Sequence, residues 1–288
     1  MSFTKKKLEL TITLGTGPYG EKVGDTVTLS GYRMRASCQT TFSIGMDDLH
    51  LQIYGLSQEM MTRLTVTGYV QSELRGANKV LLAAGDDENG MSLIYEGSIS
   101  EAWADYSGSP DVVFSITAYC GLYVALKPVG ATSFRGSTKV SDIMRTLADL
   151  AGLVFEDRGV DVVLSNPYFP GSALDQIRAC AEAADILYRI TLGKLIICPR
   201  KERKDPNAPV LISKETGLVG YPQVSGSGML LTTEFNPNLT IPGVVEVQSS
   251  LGPYACGLFD LWNVGYELSS EMPGGPWFSH VRCYRFPQ

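Results

Sequence analysis

The chain has 288 residues, of which 44% are apolar, 9% aromatic and 19% charged, with a formal net charge of −6. That length gives room for a sizeable core divided over two or three modest domains. The acidic balance argues against a duplex-binding surface, and the low charged fraction leaves uncharged surface free for partners. No apolar run approaches the ~20 residues needed to cross a bilayer. Residues 1–5 lack an apolar signal core, so neither an anchor nor a standard secretory leader is expected.

In chain order, 8–14 alternates apolar residues with Thr or Glu, and short strand-like pieces at 26–29, 34–36 and 36–44 follow, broken by Gly. Residues 49–54 alternate again and lead into a short helix at 58–64 with Ser57 as its cap. The runs 79–85 and 91–97 flank Asp86-Asp87-Glu88-Asn89-Gly90 and read as a hairpin with an acidic turn. A further strand at 98–105 is answered by 112–118 across the loop at 106–110. The first 125 residues therefore read as an antiparallel sheet or barrel.

Between 138 and 199 the pattern changes to a small α/β unit. Val140, Ile143, Met144, Leu147 and Leu150 recur at spacings of three and four, which predicts an amphipathic helix. A second helix starts at Ser172, a cap with Asp175 at the third helical position, and turns Leu174, Ile177, Ala181, Ala184 and Leu187 inward. Residues 188–192 and 195–198 flank Gly193-Lys194, a two-residue hairpin loop with glycine first, and Pro199 ends the pairing. Beyond a boundary near 205, residues 217–228 are glycine-rich. Strand patterns return at 229–234, 244–249, 262–268 and 277–284. No repeat of fixed period emerges, which disfavours solenoids and propellers.

Residues able to do chemistry are sparse. Only His50 and His280 are present, both in strand-like settings, so a His-based triad has little material and a zinc site lacks further ligands. Asp47-Asp48, Asp86-Asp87-Glu88 and Glu156-Asp157 sit at turns, where acids serve local hydrogen bonding; a carboxylate pair for glycan hydrolysis is not singled out. The 86–90 cluster lacks the ligand spacing of a calcium loop. Residues 15–20 and 226–228 match neither phosphate-loop nor dinucleotide fingerprints. Trp103, Tyr106, Trp262, Tyr266, Trp277 and Phe278 read as core or interface packing, with a sugar or base platform as the rival reading. The six cysteines (38, 120, 180, 198, 256 and 283) have no CxxC spacing and are expected as buried free thiols in a reducing cytoplasm. Lys5-Lys6-Lys7 and the mixed-sign run at 200–204 read as solvated surface and linker. No catalytic residue, cofactor or metal is predicted.

The stretch Leu51-Gln52-Ile53-Tyr54-Gly55-Leu56-Ser57 with Met60-Met61-Thr62-Arg63-Leu64 resembles the baseplate hub proteins of contractile-tailed bacteriophages. So do Tyr95-Glu96-Gly97-Ser98-Ile99, Ala102-Trp103-Ala104-Asp105-Tyr106 and Pro110-Asp111-Val112. The likeness continues in Phe169-Pro170-Gly171-Ser172, Gly193-Lys194-Leu195, Thr216-Gly217-Leu218-Val219-Gly220-Tyr221-Pro222 and Phe235-Asn236-Pro237. The resemblance implies an α+β, mainly β protein of antiparallel tube-like β-barrel modules: 1–125 an N-terminal β domain, 126–204 an inserted α/β domain, and 205–288 a C-terminal β domain packing with the first. It further implies a non-enzymatic homotrimeric ring in the virion, assembled in the host cytoplasm. Its partners would be tail tube or tube-initiator proteins, the central spike and other baseplate proteins, without specific nucleic-acid binding or membrane contact. The alternatives are a tail-associated cell-wall hydrolase and a carbohydrate-binding virion module.

Overall fold

A computed structural model of the chain describes residues 4–16, 22–41, 46–65, 78–200, 208–226, 228–248 and 253–285. The strand part at 42–44, residue 249, the loop residues 17–20 and 227, the basic run at 201–204 and the boundary near 205 lie outside these residues. The fold is α+β and mainly β. Its first part contains β1 (Lys6–Thr16), β2 (Lys22–Ser30), β3 (Arg33–Thr41), β4 (Asp48–Tyr54), helix α1 (Gln58–Leu64), β5 (Lys79–Asp86), β6 (Gly90–Asp105) and β7 (Val113–Tyr119). Helix α2 (Leu122–Leu126) and the short strands β8 (Thr132–Ser133) and β9 (Ser137–Lys139) lead to helix α3 (Val140–Ala151). Then come β10 (Val154–Asp157), β11 (Val163–Ser165), β12 (Tyr168–Phe169), α4 (Ala173–Ala183) and the hairpin β13 (Ile186–Thr191) with β14 (Lys194–Pro199). The last part holds β15 (Val210–Ile212), β16 (Leu218–Ser225), β17 (Gly228–Glu234), β18 (Val244–Val247), β19 (Gly257–Ser270) and β20 (Trp277–Tyr284).

Strands from both ends of the chain form one sheet in the order β16-β17-β20-β19-β3-β4-β7-β6-β5-β1-β2, with β18 on the start of β19 and β15 parallel to β18. Period-two alternation sets its inner face: Met34, Ala36 and Cys38 on β3, and Leu49, Leu51 and Ile53 on β4, are all buried. These residues join one large core, and each large aliphatic side chain so buried contributes roughly 1.5–3 kcal/mol. A second core is built from Val140, Ile143, Met144 and Leu147 of α3, Ile177 and Cys180 of α4, and Leu195 and Ile197 of β14.

Local chemistry explains three of the helix ends. Ser57 Oγ accepts from the Met60 N–H at the start of α1. Ser172 and Asp175 form a reciprocal capping box, with Ser172 N–H donating to Asp175 Oδ2 (3.1 Å) and Asp175 N–H to Ser172 Oγ (3.3 Å). Helix α3 ends at Gly152 in the left-handed region (φ 72°), whose N–H closes back onto the last turn.

Sequence expectations are corrected at several points: Leu187, read as the last inward residue of the second helix, lies on β13, beyond the end of α4 at Ala183. The turn between β13 and β14 is Leu192-Gly193, because Thr191 pairs with Lys194; both turn residues have positive φ (45° and 68°), a type I′ arrangement. Leu150 is 41% exposed. Ten residues beyond Val140, it is rotated about 80° from Val140 at 100° per residue, just past the Ile143 edge of the buried stripe, and the inward position falls to Ala151. The separate strands at 91–97 and 98–105 are one strand, β6, and the pieces at 34–36 and 36–41 are one strand, β3. The glycine-rich region after 217 is strand β16, in which Gly220 adopts positive φ, as does Gly217 just before it.

Candidate assembly interface

The sheet contains the same arrangement twice. Strands β3-β4-β7-β6 stand in the order of β16-β17-β20-β19, and β5 lies on β6 as β18 lies on β19. The long strand of each set carries a bulge at the same place. On β6 it falls between Ile99, paired to Ala118, and Glu101, paired to Thr117. On β19 it falls between Leu261, paired to Cys283, and Asn263, paired to Arg282. Buried positions then coincide: Leu49, Leu51 and Ile53 match Met229, Leu231 and Thr233, and Val80 matches Val245. The two sets share no obvious sequence, since packing asks only for inward residues every second position.

Strands β19 and β3 join the sets along an eight-pair antiparallel seam from Asn263–Thr41 to Ser270–Met34. Cys38 and Tyr266 face each other there and are 1% and 5% exposed. Thr40 Oγ1 donates to the Val264 carbonyl (2.8 Å), and Arg35 pairs with Glu267 on the outer face (2.9 Å). The seam's end is pinned by the α/β unit. Arg189 on β13, 8% exposed, donates to Asp47 Oδ2 through Nη2 (2.8 Å) and to the Ile241 carbonyl through Nη1. Asp47 also accepts from the Thr41 N–H (3.1 Å), and its carbonyl accepts from the Cys120 N–H (2.8 Å). Arg158 adds a bond to the Pro242 carbonyl (3.0 Å). Burial raises the Asp47 carboxyl above the ordinary range, and the Arg189 guanidinium opposes that shift. One buried pair thus ties the α/β unit to both β sets.

Residues 8–280 match the family model described as baseplate hub gp41. The chain belongs to the baseplate hub gp41 family. Among solved structures, this hub protein is similar to the 43 kDa tail protein of prophage MuSo2 from Shewanella oneidensis, with a TM-score of 0.61 and 10% identity over 96% of this chain and 98% of that one. It is also similar to the tail protein from Neisseria meningitidis MC58, with a TM-score of 0.59 and 10% identity over 96% of each chain. The E. coli c3393 protein, a type VI secretion component with structural similarity to the T4 tail proteins gp27 and gp5, gives a TM-score of 0.56 and 10% identity over 89% of this chain and 74% of that one. At such identities these likenesses establish the fold alone. No curated protein sequence matches.

Among the described residues of the hub protein, the chemistry-bearing side chains lie at separate places. His50 contacts Thr117 (3.3 Å) and Asp48 (3.4 Å) on the outer sheet face; His280 contacts Thr232 (3.3 Å) and Glu267 (3.6 Å) on the same face across the seam. Asp86 caps the β5–β6 turn by accepting from the Glu88 and Asn89 N–H groups, and Lys6 pairs with it (3.1 Å). Those bonds, the Asn89 one foremost, hold its carboxyl well below the usual range. Glu156 pairs with Arg158 (2.8 Å), and Asp157 accepts from the Gly159 and Val160 N–H groups. Trp277 packs edge-on against Phe235 (5.3 Å) and Trp262 against Tyr284 (5.7 Å). All six cysteines are free; five are buried, and burial pushes the Cys120, Cys180 and Cys283 thiols up to about 12. Among the described residues no cluster of His, Cys, Asp or Glu has a metal-holding arrangement.

Sequence reasoning passed over Arg189. Its signal was present: it is the lone charge within the otherwise uncharged Ile-Leu-Tyr-Arg-Ile-Thr of β13, and such a charge is buried only with a partner.

Proposed function

We propose that this hub protein is a structural virion component, not an enzyme. It forms a homotrimeric ring at the distal end of a contractile tail, joins the tail tube to the central spike and leaves a channel for DNA. The observation that carries this reading is the twice-repeated strand set: three chains with two sets each present six quasi-equivalent sets, so a threefold ring meets a sixfold tube on one side and a threefold spike on the other. In this reading 1–125 and 205–288 are the two tube-like modules and 126–204 the outer unit that braces them. Other baseplate proteins contact the ring's outside, and assembly takes place in the host cytoplasm. The outer face of the sheet bears on the channel: around the seam it offers Ser37, Gln39, Thr117 and Thr232, with Arg35 and Glu267 paired, beside the exposed His50, His280 and Arg282.

Light scattering on the purified chain, alone and mixed with the spike protein of the same virion, tests the proposal. A trimer or a 3:3 complex is the expected mass; a monomer indifferent to the spike would overturn it.

A further inference from the structure

A cleft of about 660 Å³ opens between the β5–β6 turn of the first strand set and, in the second, the loop at 235–238 with the start of β20. That volume lies within the ~300–1,000 Å³ range of small-molecule sites.

The second wall carries an aromatic platform that the strand pattern does not require. Thr233 matches Ile53, so Phe278, paired with Glu234, stands where the first set has Val113 paired with Tyr54. Trp277, one residue earlier, packs edge-on against Phe235 (5.3 Å), and Phe235 against Tyr266 (5.6 Å). Tyr266 is buried and donates to the Leu239 carbonyl (3.0 Å), so the partly exposed Trp277 is braced from the core. The loop is fixed as firmly. The Phe235 N–H donates to the Trp277 carbonyl (3.1 Å), the Asn236 N–H to Ser279 Oγ (3.1 Å) and the Asn238 N–H to Asn236 Oδ1 (3.0 Å).

The polar groups around this platform are of two kinds. Asp86 is engaged with its own turn and with Lys6, so that pair presents no net charge. The Glu234 carboxylate, the Asn238 carboxamide and Asn236 Nδ2 have no hydrogen bond or ion pair among the described residues, and Glu234 and Asn238 are exposed. A flat apolar ring beside planar amides and a carboxylate suits a sugar. The ring covers the C–H face of a pyranose, and the amide and carboxylate groups take neighbouring hydroxyls. A polyanion is disfavoured, because Glu234 repels it and Lys6 is already paired. We propose that this cleft binds an uncharged saccharide unit, with Trp277 as the platform and Glu234, Asn236 and Asn238 as the hydroxyl-binding groups. Of the acids and histidines described above only Asp86 lines the cleft, and both its oxygens are taken, so the site binds and no hydrolysis is assigned to it. This assignment stands apart from the ring reading.

The test is a calorimetric titration of the full-length chain with cellotriose and with chitotriose, with trigalacturonate and a proline-rich peptide as comparisons. The expected result is saturable binding of at least one of the two neutral sugars and weaker or no binding of the anionic one. Trp277→Leu should weaken it at least about tenfold. Glu234→Ala and Asn238→Ala should each weaken it about two- to tenfold with Tm unchanged, since both side chains are exposed and bond to no described residue. Trp103→Leu, outside the cleft, should leave it as it is. Three outcomes would overturn the proposal: no binding of either neutral sugar at millimolar concentration, binding that survives Trp277→Leu combined with Glu234→Ala, or tighter binding of the peptide or the anionic sugar. None of them bears on the mass that light scattering reads for the ring.

Discussion

The β19–β3 seam and the outer edge of β16 are built from corresponding strands, yet among the described residues β3 is paired on both sides and β16 on one. At the seam a tyrosine and a cysteine face each other almost fully buried; on β16 Val224 stands in solvent. The seam is also pinned at its end by Arg189 and Asp47. The difference teaches that corresponding strands can share backbone geometry while their side chains follow what each one packs against: the paired edge is apolar and buried, and its counterpart keeps apolar side chains in solvent.

The largest expected effect comes from removing the pin. Arg189→Met leaves Asp47 buried and unpaired and should cost about 3–5 kcal/mol. In thermal unfolding that lowers Tm by about 6–20 °C for a chain of this size. Adding Asp47→Asn should recover part of the loss, because the uncompensated charge disappears; an unchanged Tm in the single variant would show that the pin is dispensable. Thr40→Val removes the hydroxyl bond to Val264 within the seam, and denaturant unfolding should register about 1 kcal/mol.

A third variant separates the β5–β6 hairpin from the seam itself. The folded-state carboxyl of Asp86 is lowered, so its stabilisation is present above the ordinary carboxylate range and is lost as pH falls toward the folded value. Asp86→Asn should therefore be less stable than the parent at neutral pH and show a flatter acid limb when urea midpoints are followed from about pH 6 to 3. Identical limbs would assign the acid sensitivity to other carboxylates. The smallest effect on stability belongs to β16: Val224→Lys should move the unfolding free energy of a single chain by no more than about 0.5 kcal/mol. Denaturant unfolding reads it; a larger loss would show that Val224 carries more of the β16–β17 pairing than its exposure implies.

Much of this was legible in the chain. Period-two alternation fixed where β1, β4, β17 and β20 lie, and Ser172 with Asp175 announced α4, because capping and alternation act over a few residues. The motifs at 51–64, 95–112 and 216–237 pointed to the hub family. The Leu192-Gly193 turn and the continuity of β6 through its bulge were not legible, since each depends on what packs against the segment, whereas the outward position of Leu150 follows from helix geometry and was overlooked.

By itself the sequence determined a mainly β chain with an inserted two-helix unit and little material for catalysis, because composition and short-range periodicity are local properties. Tertiary structure alone decided that β19 lies against β3, that the two strand sets repeat one order, and that Arg189 reaches Asp47 across 142 residues. Those are long-range pairings, and strands with the same inward-outward alternation are interchangeable until the backbone ladder and the shared core select one arrangement.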